Sequence, residues 1–393
     1  MEKHKLLEKV KVETARVKKD VIAWRRCLHR YPELAFEEYK TSEKVRTILK
    51  KAGIPFEVKA KTGVVGQIER HAEITVGLRA DMDALPVEEK TGLDFASVNR
   101  GIMHACGHDG HTAVLLGAAL VLKRLEEYLN VNVRFIFQPS EEKPPGGAPM
   151  MIKEGAADAL DYLIGFHFFP DLPLYKIWIG KGFVMANTDS FRITVKGRGG
   201  HGSAPHTARD PVVCSAYLIT NLQTIISRCI NPMEAGVVSV CEIKGGSAFN
   251  IIPEKVELAG TVRTLQDGTR RKIMEEMKRK LEKVCGSFGC SAELRYDNYS
   301  PACLNNVKFS DRLVSLASGI LPHGNIVDYH PILGGEDFAF FSRKIPSSYF
   351  FVGIGKKCGA HHSSGFSLDE RILPYAVNFL SSLMLAFPSG KSI

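Results

Sequence analysis

Residues 111–137 read HTAVLLGAALVLKRLEEYLNVNVRFIF, and this stretch carries the first signal of the fold. Its first part, 111–129, has the length and apolar content of a helix, whereas 131–137 is a short apolar run typical of a strand buried on both faces. Similar runs at 74–78 and 162–166 predict neighbouring strands. Strands that alternate with helices in this way indicate an α/β domain with a mostly parallel central sheet.

The same alternation continues toward both ends of the chain. Apolar residues at helical spacing predict further helices at 5–29, 36–51, 307–320 and 369–385. Short apolar runs predict further strands at 64–68 and 348–352.

The middle third has a different order of elements. Strands are predicted at 190–196, 237–244, 255–264 and 291–296, and helices at 211–230 and 268–288. The order βαββαβ is that of a ferredoxin-like α+β sandwich. We therefore expect a small domain, 187–300, inserted into a larger one that comprises 1–186 and 301–393.

Length and composition exclude several classes of protein. A chain of 393 residues with 45% hydrophobic and 24% charged residues has the composition of a folded protein with two or three domains. It contains no apolar run of the roughly 20 residues that a membrane span needs, and residues 1–20 lack the apolar core of a secretory signal. Together with nine cysteines and no CxxC pair, this predicts a cytoplasmic protein with reduced thiols.

The net charge of +9 is compatible with a nucleic-acid partner. However, the excess is spread along the chain, and the most basic runs, 3–19 and 270–283, are interleaved with glutamate as on solvated helices. No RNP motif, zinc-finger spacing or Walker loop is present. We therefore expect neither a nucleic acid nor a membrane as a partner.

Histidine is concentrated in four short segments, most of them rich in glycine. Eight of the 13 histidines lie in MHACGHDGH (103–111), GFHFFP (165–170), GRGGHGSAPH (197–206) and GAHHSSGF (359–366). Several of these segments follow predicted strands, and open α/β sheets place their ligand sites at such strand ends.

Two of the local patterns suit a metal, although each has a simpler explanation. Cys106 and His108 are separated by one residue, so on a loop both zinc-type ligands can face one point, but a turn with a buried thiol and a capping histidine fits equally well. Glu141 and Glu142 follow the strand 131–137. One carboxylate of such a pair can ligate a metal while the other exchanges protons, and a solvated loop is the alternative.

Two histidines complete the candidate set. His167 follows the predicted strand 162–166, where a core histidine is the alternative, and His362 follows the strand 348–352. Two divalent metals that share a bridging ligand would use the whole set, which is larger than one tetrahedral zinc requires. Zinc is favoured, with manganese, cobalt or nickel as alternatives. The candidate ligands are Cys106, His108, Glu142, His167 and His362.

Six motifs occur in a recognisable order: RADMDALPVEE (79–89), MHACGHDGH, QPSEE (138–142), GRGGHGSAPH, FNIIPEKVELAGTVRT (249–264) and GGEDF (334–338). From about residue 25 to 370, the chain closely resembles the aminoacylase/carboxypeptidase family of metal-dependent amidohydrolases. This family includes hippurate hydrolases, auxin-conjugate amidohydrolases and thermostable carboxypeptidases. The resemblance implies a catalytic α/β domain interrupted by a ferredoxin-like lid and dimerisation domain, and hence a homodimer or homotetramer.

The resemblance also assigns roles in the larger domain. Cys106 matches the bridging metal ligand, and the other four candidate ligands match the remaining ligands of the family. Glu141 matches the catalytic acid/base, and Asp83 matches a residue of the acidic motif that orients the site. Asp81 belongs to the same motif without an assigned role. Ser364 stands where many relatives have proline, but the spacing from His362 to Phe366 is kept, which favours His362 over His361.

In the smaller domain, the resemblance assigns the substrate contacts. His201 matches a histidine that in relatives reaches the active site of the partner subunit and polarises the scissile carbonyl. Asn250 and Arg263 match positions that hold the free α-carboxylate of the substrate, a role that suits the fork of an arginine. His206 is a weaker candidate in the same motif as His201.

The expected reaction is hydrolysis of the amide bond of an N-acyl-L-amino acid, or of a C-terminal peptide bond, by a metal-activated water with Glu141 as general base. An N-carbamoyl amino acid hydrolase and a dipeptidase use the same machinery and stay open as alternatives. A metal-binding module without catalysis is disfavoured because Glu141 is intact.

Overall fold

The computed structural model describes residues 3–390. In chain order its helices are α1 (Lys3–Arg30), α2 (Tyr39–Lys51), α3 (His108–Arg124), α4 (Ala148–Lys153), α5 (Pro211–Thr224), α6 (Asp267–Ser287), α7 (Val307–Ser318), α8 (Ala339–Ser342) and α9 (Ile372–Leu385). Its strands are β1 (Phe56–Lys59), β2 (Gly63–Ile68), β3 (Thr75–Asp81), β4 (Asn132–Gln138), β5 (Tyr162–Phe169), β6 (Ile177–Ile179), β7 (Gly182–Met185), β8 (Asn187–Lys196), β9 (Gly200–His201), β10 (Gly236–Gly245), β11 (Ile251–Ile252), β12 (Lys255–Thr264), β13 (Ser291–Ser300), β14 (Cys303–Asn305) and β15 (Ser347–Gly353).

The chain forms two compact units. The first runs up to Gly182 and returns at Leu304–His330 and from Asp337 onward. The second comprises Phe183–Cys303 and Pro331–Glu336. Between residues 3 and 390, no helix is both long and apolar enough to cross a membrane.

A seven-stranded sheet in the order β1-β2-β4-β3-β5-β15-β6 forms the centre of the first unit. Its four inner strands, β4, β3, β5 and β15, pair in parallel. β2 and β6 pair antiparallel with their neighbours, so that β1 again runs with the inner strands. Five of the seven strands therefore point one way, which confirms the predicted α/β fold with a mostly parallel sheet.

Helix α3 is buried along nearly its whole length against α1 and α9. A Cβ atom at Gly117 would lie 2.7 Å from both Val21 Cγ2 and Val377 Cγ2, so these helices approach closely because this residue is glycine. At the start of the helix, the Thr112 hydroxyl donates to the backbone oxygen of Asp81 at 2.8 Å. The first turn of α3 is thereby fixed at the carboxyl end of β3.

Three predicted boundaries are wrong in ways that affect the site. The helix predicted from residue 111 begins at His108, because Gly107 adopts a φ of +90° that turns the chain into the helix. The strand predicted to end at 166 continues to Phe169, paired with Gly353 of β15, so His167 lies inside a strand. The helix predicted from residue 36 begins at Tyr39, where the Glu33 carboxylate accepts the N–H groups of the first turn.

The second unit contains a four-stranded antiparallel sheet in the order β10-β12-β8-β13. Along the chain, its elements follow the order β8-α5-β10-β12-α6-β13. Apolar residues of α5 and α6, such as Leu218 and Met277, share a buried core with Phe191 and Val262 of the sheet. The helix predicted over 211–230 ends at Thr224 and continues as a π-helical turn, Ile225–Cys229.

Candidate active site

Polar side chains converge at the carboxyl ends of the inner strands of the first unit. Asp81 is the last residue of β3, and Glu141 and Glu142 follow β4 after a short turn. His167 is near the end of β5, and His108 is the first residue of α3. Parallel strands end at the same edge of a sheet, and this is where open α/β folds bind ligands.

The sulfur of Cys106 belongs to two groups of possible metal ligands. In the first group its partners are His108 and His167, and in the second they are Glu142 and His362. Within each group the candidate ligand atoms all lie within 4.8 Å of one another. The Cys106 sulfur is 3.4 Å from His167 Nε2, and Glu142 Oε1 is 3.2 Å from His362 Nε2. All five predicted ligands are therefore brought together, with the thiol common to both groups.

Glu141 lies beside this cluster. A carboxylate oxygen of Glu141 is within 4.8 Å of both a His108 ring nitrogen and a Glu142 carboxylate oxygen. Its side chain is only partly buried, like that of Glu142. The two adjacent carboxylates are thus close enough for one to bind an ion while the other contacts a water molecule on it.

The chemistry of these groups fits cations. Within residues 3–390, His108 Nε2 is buried and makes no hydrogen bond, so it is an orphaned polar atom that a metal would satisfy. Burial, with the carboxylates of Glu142, Glu141 and Asp81, raises the pKa of the Cys106 thiol well above its usual value. A thiolate therefore forms here only when positive charge stands next to it.

Burial and the neighbouring carboxylates also shift the pKa values of the imidazole rings of His167 and His108. Burial lowers the pKa of His167 well below its usual value, so its ring is neutral and available as a ligand. For His108, burial opposes the charged form, but Asp81, Asp83 and Glu142 raise the pKa to about 10. The carboxylates thus stabilise positive charge at this position, whether a proton or a metal carries it.

Asp83 organises the turn that carries the two glutamates. Its two carboxylate oxygens accept the backbone N–H groups of Glu141 and Glu142, at 2.9 and 3.0 Å. Its backbone oxygen lies 3.0 Å from His108 Nδ1, which can donate to it and so leave Nε2 to face the cluster. A single residue thus orients parts of both candidate groups.

His111 and Asp81 form a buried pair next to the candidate ligands, and the sequence assigned no role to either residue. The N–H of Phe168 donates to His111 Nε2 at 3.0 Å, so Nδ1 carries the proton and donates to Asp81 Oδ1 at 2.7 Å. Burial lowers the pKa of His111, in agreement with a neutral ring. Both ring nitrogens are therefore used, and the nearby group of Asp81, His108 and His111 is not a third ligand set. The sequence signal for this pair is that Asp81 ends β3 and His111 lies in the first turn of α3, the next helix along the chain.

A second buried network reaches α3 from α1. The Arg25 Nε donates to Asp109 Oδ2 at 2.8 Å, and His29 Nδ1 lies at the same distance from that oxygen. On its other side, His29 Nε2 is 3.1 Å from Glu89. Because Asp109 follows His108 directly, this network fixes the helical turn that carries a candidate ligand. No local sequence pattern predicts this network. Its residues are only included in the range over which the chain resembles the family.

The two neighbouring histidines of GAHHSSGF take different positions. His362 approaches Glu142 and belongs to the second ligand group, and its φ of +62° turns the chain at this point. His361 Nε2 donates to the backbone oxygen of Phe168 at 2.9 Å, and its ring packs against that of His167. His361 thus packs behind a candidate ligand, whereas His362 is placed among them.

The substrate-binding candidates all lie in the second unit. His201, in β9, pairs with Ile251 of β11, and Gly202 N–H donates to the backbone oxygen of Asn250 at 2.9 Å. His201 and Asn250 are exposed and close together, whereas His206 is exposed on a separate short helix, Pro205–Thr207. The N–H of Ser203 donates to His201 Nδ1 at 3.1 Å, so the proton of the neutral ring is on Nε2.

Arg263 lies on β12 of the same unit. One of its terminal nitrogens donates to the backbone oxygens of Asp189 and Val262, at 3.2 and 3.0 Å. The side chain is half-buried. Its planar fork is thus held in one orientation by the sheet. Separately, His201 lines a groove of about 790 Å³ with the glycine-rich segments around Gly199 and Gly245.

Comparison with known proteins finds relatives along nearly the whole chain. A family model described as peptidase family M20/M25/M40 matches residues 77–386. Thermostable carboxypeptidase 1 of Saccharolobus solfataricus is 40% identical over 377 residues, which cover 94% of this chain and 95% of the relative. The N-acyl-L-amino acid amidohydrolase of Geobacillus stearothermophilus is 43% identical over 297 residues, covering 75% and 80%. The crystal structure of Bacillus subtilis YxeP, described as a dinuclear metal-binding peptidase, matches with a TM-score of 0.83 at 34% identity and covers 94% of this chain and 98% of YxeP.

Proposed function

Because the chain belongs to peptidase family M20/M25/M40, we propose that it removes the acyl group from N-acyl-L-amino acids or cleaves C-terminal peptide bonds. Membership confirms the resemblance predicted from the six motifs. The protein is an enzyme, a metal-dependent hydrolase of amide bonds. The N-carbamoyl and dipeptide alternatives gain no support from these relatives.

The observation that carries the proposal is that the Cys106 thiol belongs to both candidate ligand groups, with the Glu141 carboxylate next to them. Cys106 with His108 and His167 would hold one divalent ion, and Cys106 with Glu142 and His362 would hold the other. We propose zinc as the metal, because a thiolate and imidazoles suit it, with manganese, cobalt or nickel as alternatives.

The chain supplies the proton chemistry. When bound, a pair of metal ions polarises the scissile carbonyl and acidifies a water molecule. Glu141 accepts a proton from that water as the oxygen adds to the carbonyl carbon. As the C–N bond breaks, Glu141 passes the proton to the leaving nitrogen, a role worth about 10²–10⁴-fold in rate. Asp83 accepts the backbone N–H groups of both glutamates and so fixes the turn from which the proton carrier, Glu141, and the candidate metal ligand, Glu142, project.

The second unit supplies groups for the substrate. We assign Asn250 and Arg263 to the substrate's α-carboxylate, because an oriented guanidinium fork matches two carboxylate oxygens. We assign His201 to the scissile carbonyl, where its protonated Nε2 can donate to the oxygen that becomes negative in the transition state. These assignments favour substrates with a free carboxylate next to the amide nitrogen.

The remaining features of the proposal concern assembly and location. We propose that the segment 187–300 acts as a lid and dimerisation domain within a catalytic domain formed by 1–186 and 301–393, and that the protein is a homodimer or homotetramer. We also propose a cytoplasmic location, since all nine cysteines are free thiols.

The test is a turnover screen of metal-depleted protein. N-acetyl, N-benzoyl, N-carbobenzoxy and N-carbamoyl amino acids and dipeptides are assayed after zinc, manganese or cobalt is restored. We expect hydrolysis of N-acyl-L-amino acids that requires the metal. The variant Glu141→Gln should retain two ions by elemental analysis while kcat falls by at least about 10²-fold, the lower limit for loss of a general base.

Two results would contradict the proposal. Full activity of Glu141→Gln would exclude the carboxylate as the proton carrier. Activity of the wild-type protein that is unchanged after chelation would exclude the two ions from the reaction.

A further inference from the structure

The turn between β4 and the two glutamates contains a residue in an unfavourable backbone conformation. Ser140 is buried and has a φ of +51°, in the left-handed region that side chains with a Cβ atom disfavour. Its backbone oxygen accepts the N–H of Gly147 at 2.7 Å, which closes the loop that follows. Such a conformation persists only where neighbouring groups hold it.

The backbone N–H of Ser140 is bound by the side chain of Glu38. That side chain is fully buried, and Oε1 accepts the N–H of Ser140 at 2.9 Å. The same oxygen accepts the N–H of Phe36 at 2.9 Å, and Oε2 accepts the Thr62 hydroxyl at 2.6 Å. Glu38 is 102 residues from Ser140 along the chain, so this contact belongs to the tertiary fold rather than to a local turn.

Glu38 does not serve the helix that it precedes. It is the residue before α2, but its side chain makes no capping hydrogen bond to that helix. The first turn of α2 is bound instead by Glu33, whose carboxylate accepts the N–H groups of Lys40 and Thr41 at 3.1 and 2.9 Å. The carboxylate of Glu38 is therefore directed to the glutamate turn.

Two buried carboxylates thus bind three successive backbone N–H groups of that turn: Glu38 binds the one at 140, and Asp83 binds those at 141 and 142. We propose that Glu38 is a positioning residue for hydrolysis, which fixes Ser140 and thereby the direction in which Glu141 and Glu142 leave the turn. The activity part of this inference rests on the proposed function.

The length of the Glu38 side chain is the property that matters. The carboxyl group bridges from the start of α2 to Ser140, so a side chain shorter by one methylene cannot reach both. Its charge is less important, because burial, opposed by the bond from Thr62 but reinforced by Asp83, raises the pKa of Glu38 to about 7. An amide of the same length can accept the N–H of Ser140 equally well.

The experiment compares two conservative variants with a matched control. Glu38→Gln keeps the length and loses the charge, whereas Glu38→Asp keeps the charge and loses the length. The control, Glu33→Gln, alters a neighbouring carboxylate that binds α2 but not the turn. For each, kcat and KM for an N-acetyl-L-amino acid are measured with the zinc-loaded protein, together with metal content and hydrogen–deuterium exchange of the amides at 140–142.

We expect Glu38→Asp to lower kcat by about 10- to 100-fold, the range for residues that orient a catalytic group. KM should change less than about threefold, and exchange at 140–142 should accelerate. Glu38→Gln and Glu33→Gln should stay within about threefold of the wild-type kcat, with slow exchange at these amides.

Three results would overturn the inference. These are a wild-type kcat in Glu38→Asp, an equal loss of kcat in Glu38→Gln and Glu38→Asp, or unchanged exchange at 140–142 in Glu38→Asp. If the wild-type protein hydrolysed none of the substrates, the proposed function would fail, but the exchange of these amides would still decide whether Glu38 holds the turn.

Discussion

The two ligand groups that share Cys106 differ in their surroundings. His108 and His167 are buried, with 0% and 8% of their surface exposed, whereas the side chain of His362 is 53% exposed. The Nδ1 atoms of His108 and His167 each lie within 3.0 Å of a backbone oxygen, which fixes both rings with Nε2 toward the cluster. The group with His362 is at the surface end of the site.

This difference suggests a division of roles. A site with buried, oriented ligands loses little freedom when it binds an ion, so it binds tightly and exchanges slowly. A site with an exposed ligand is the one that solvent, chelators and substrate can reach first. We therefore expect the buried group to retain its ion and the exposed group to exchange it.

The largest effect is expected from the ligand common to both groups. In Cys106→Ser a hydroxyl, which is a poorer zinc ligand than a thiolate, replaces the shared sulfur. Metal content should fall below one ion per chain, and kcat/KM should fall by more than about 100-fold, the upper end of the cost of losing a ligand's supporting partner. Elemental analysis and steady-state kinetics check this. Retention of two ions would show that the thiol does not join the groups.

The next effect separates the groups. His362→Ala should keep the fold and one ion, with hydrolysis reduced less than in Cys106→Ser, whereas His167→Ala should lose the tighter ion. Chelation of the wild-type protein, followed with a chromophoric chelator, should show a fast and a slow phase. The fast phase should be missing in His362→Ala. A single phase with both ions released together would abolish the distinction between the groups.

The sequence predicted the members of both groups but not this difference. The five candidate ligands lie in short segments, several of them at the ends of predicted strands, and the strand pattern predicted the edge of the sheet where they meet. Each segment alone also fitted a simpler structural role, so the set depended on all segments together and its roles on the family resemblance. Burial depends on how distant segments pack. His167 illustrates this, because the strand predicted to end at 166 continues to Phe169 once it pairs with β15.

The supporting residues were harder to predict than the ligands. His111, Arg25 and Glu38 are separated in sequence from the residues that they support, and each lies in a helix or turn where a structural role is equally plausible. Their function follows from hydrogen bonds that span 30 to 102 residues. Local spacing contains no information about such pairs, whereas the spacing of Cys106 and His108 at least suggests a shared metal.

A smaller effect tests the pair of His111 and Asp81 next to the buried group. His111→Phe keeps an aromatic ring, although a larger one, and leaves Asp81 and the N–H of Phe168 without their partner. We expect a loss of about 2 kcal/mol or more in the free energy of unfolding and about 10- to 100-fold in metal affinity. Chemical unfolding and competitive metal titration check these values.

His104 provides the matched control for this variant. It lies in the same motif and is buried, but within residues 3–390 neither of its ring nitrogens makes a hydrogen bond. His104→Phe removes no bond and should leave metal affinity within about threefold of the wild-type value. Equal losses in the two variants would mean that ring packing, not the bond to Asp81, supports the buried group.

The smallest effect on hydrolysis is expected from Glu38→Gln. Glu38 binds the turn that carries Glu142 of the exposed group, and its own contribution is measured through the pH dependence of stability. Burial, opposed by the bond from Thr62 but reinforced by Asp83, raises the pKa of Glu38 from 4.5 to about 7 in the folded protein; its other contacts are the N–H groups of Phe36 and Ser140.

The folded state therefore binds this proton more tightly than the unfolded chain, so the associated stability is present below pH 4.5 and is lost as the pH rises through 7. A tenfold difference in proton affinity between the two states corresponds to about 1.4 kcal/mol, which makes the loss about 3 kcal/mol over this range. Glutamine does not titrate, so urea unfolding of the metal-free proteins should show a flatter pH dependence in Glu38→Gln than in the wild type, and equal slopes would mean that folding does not raise the pKa of Glu38.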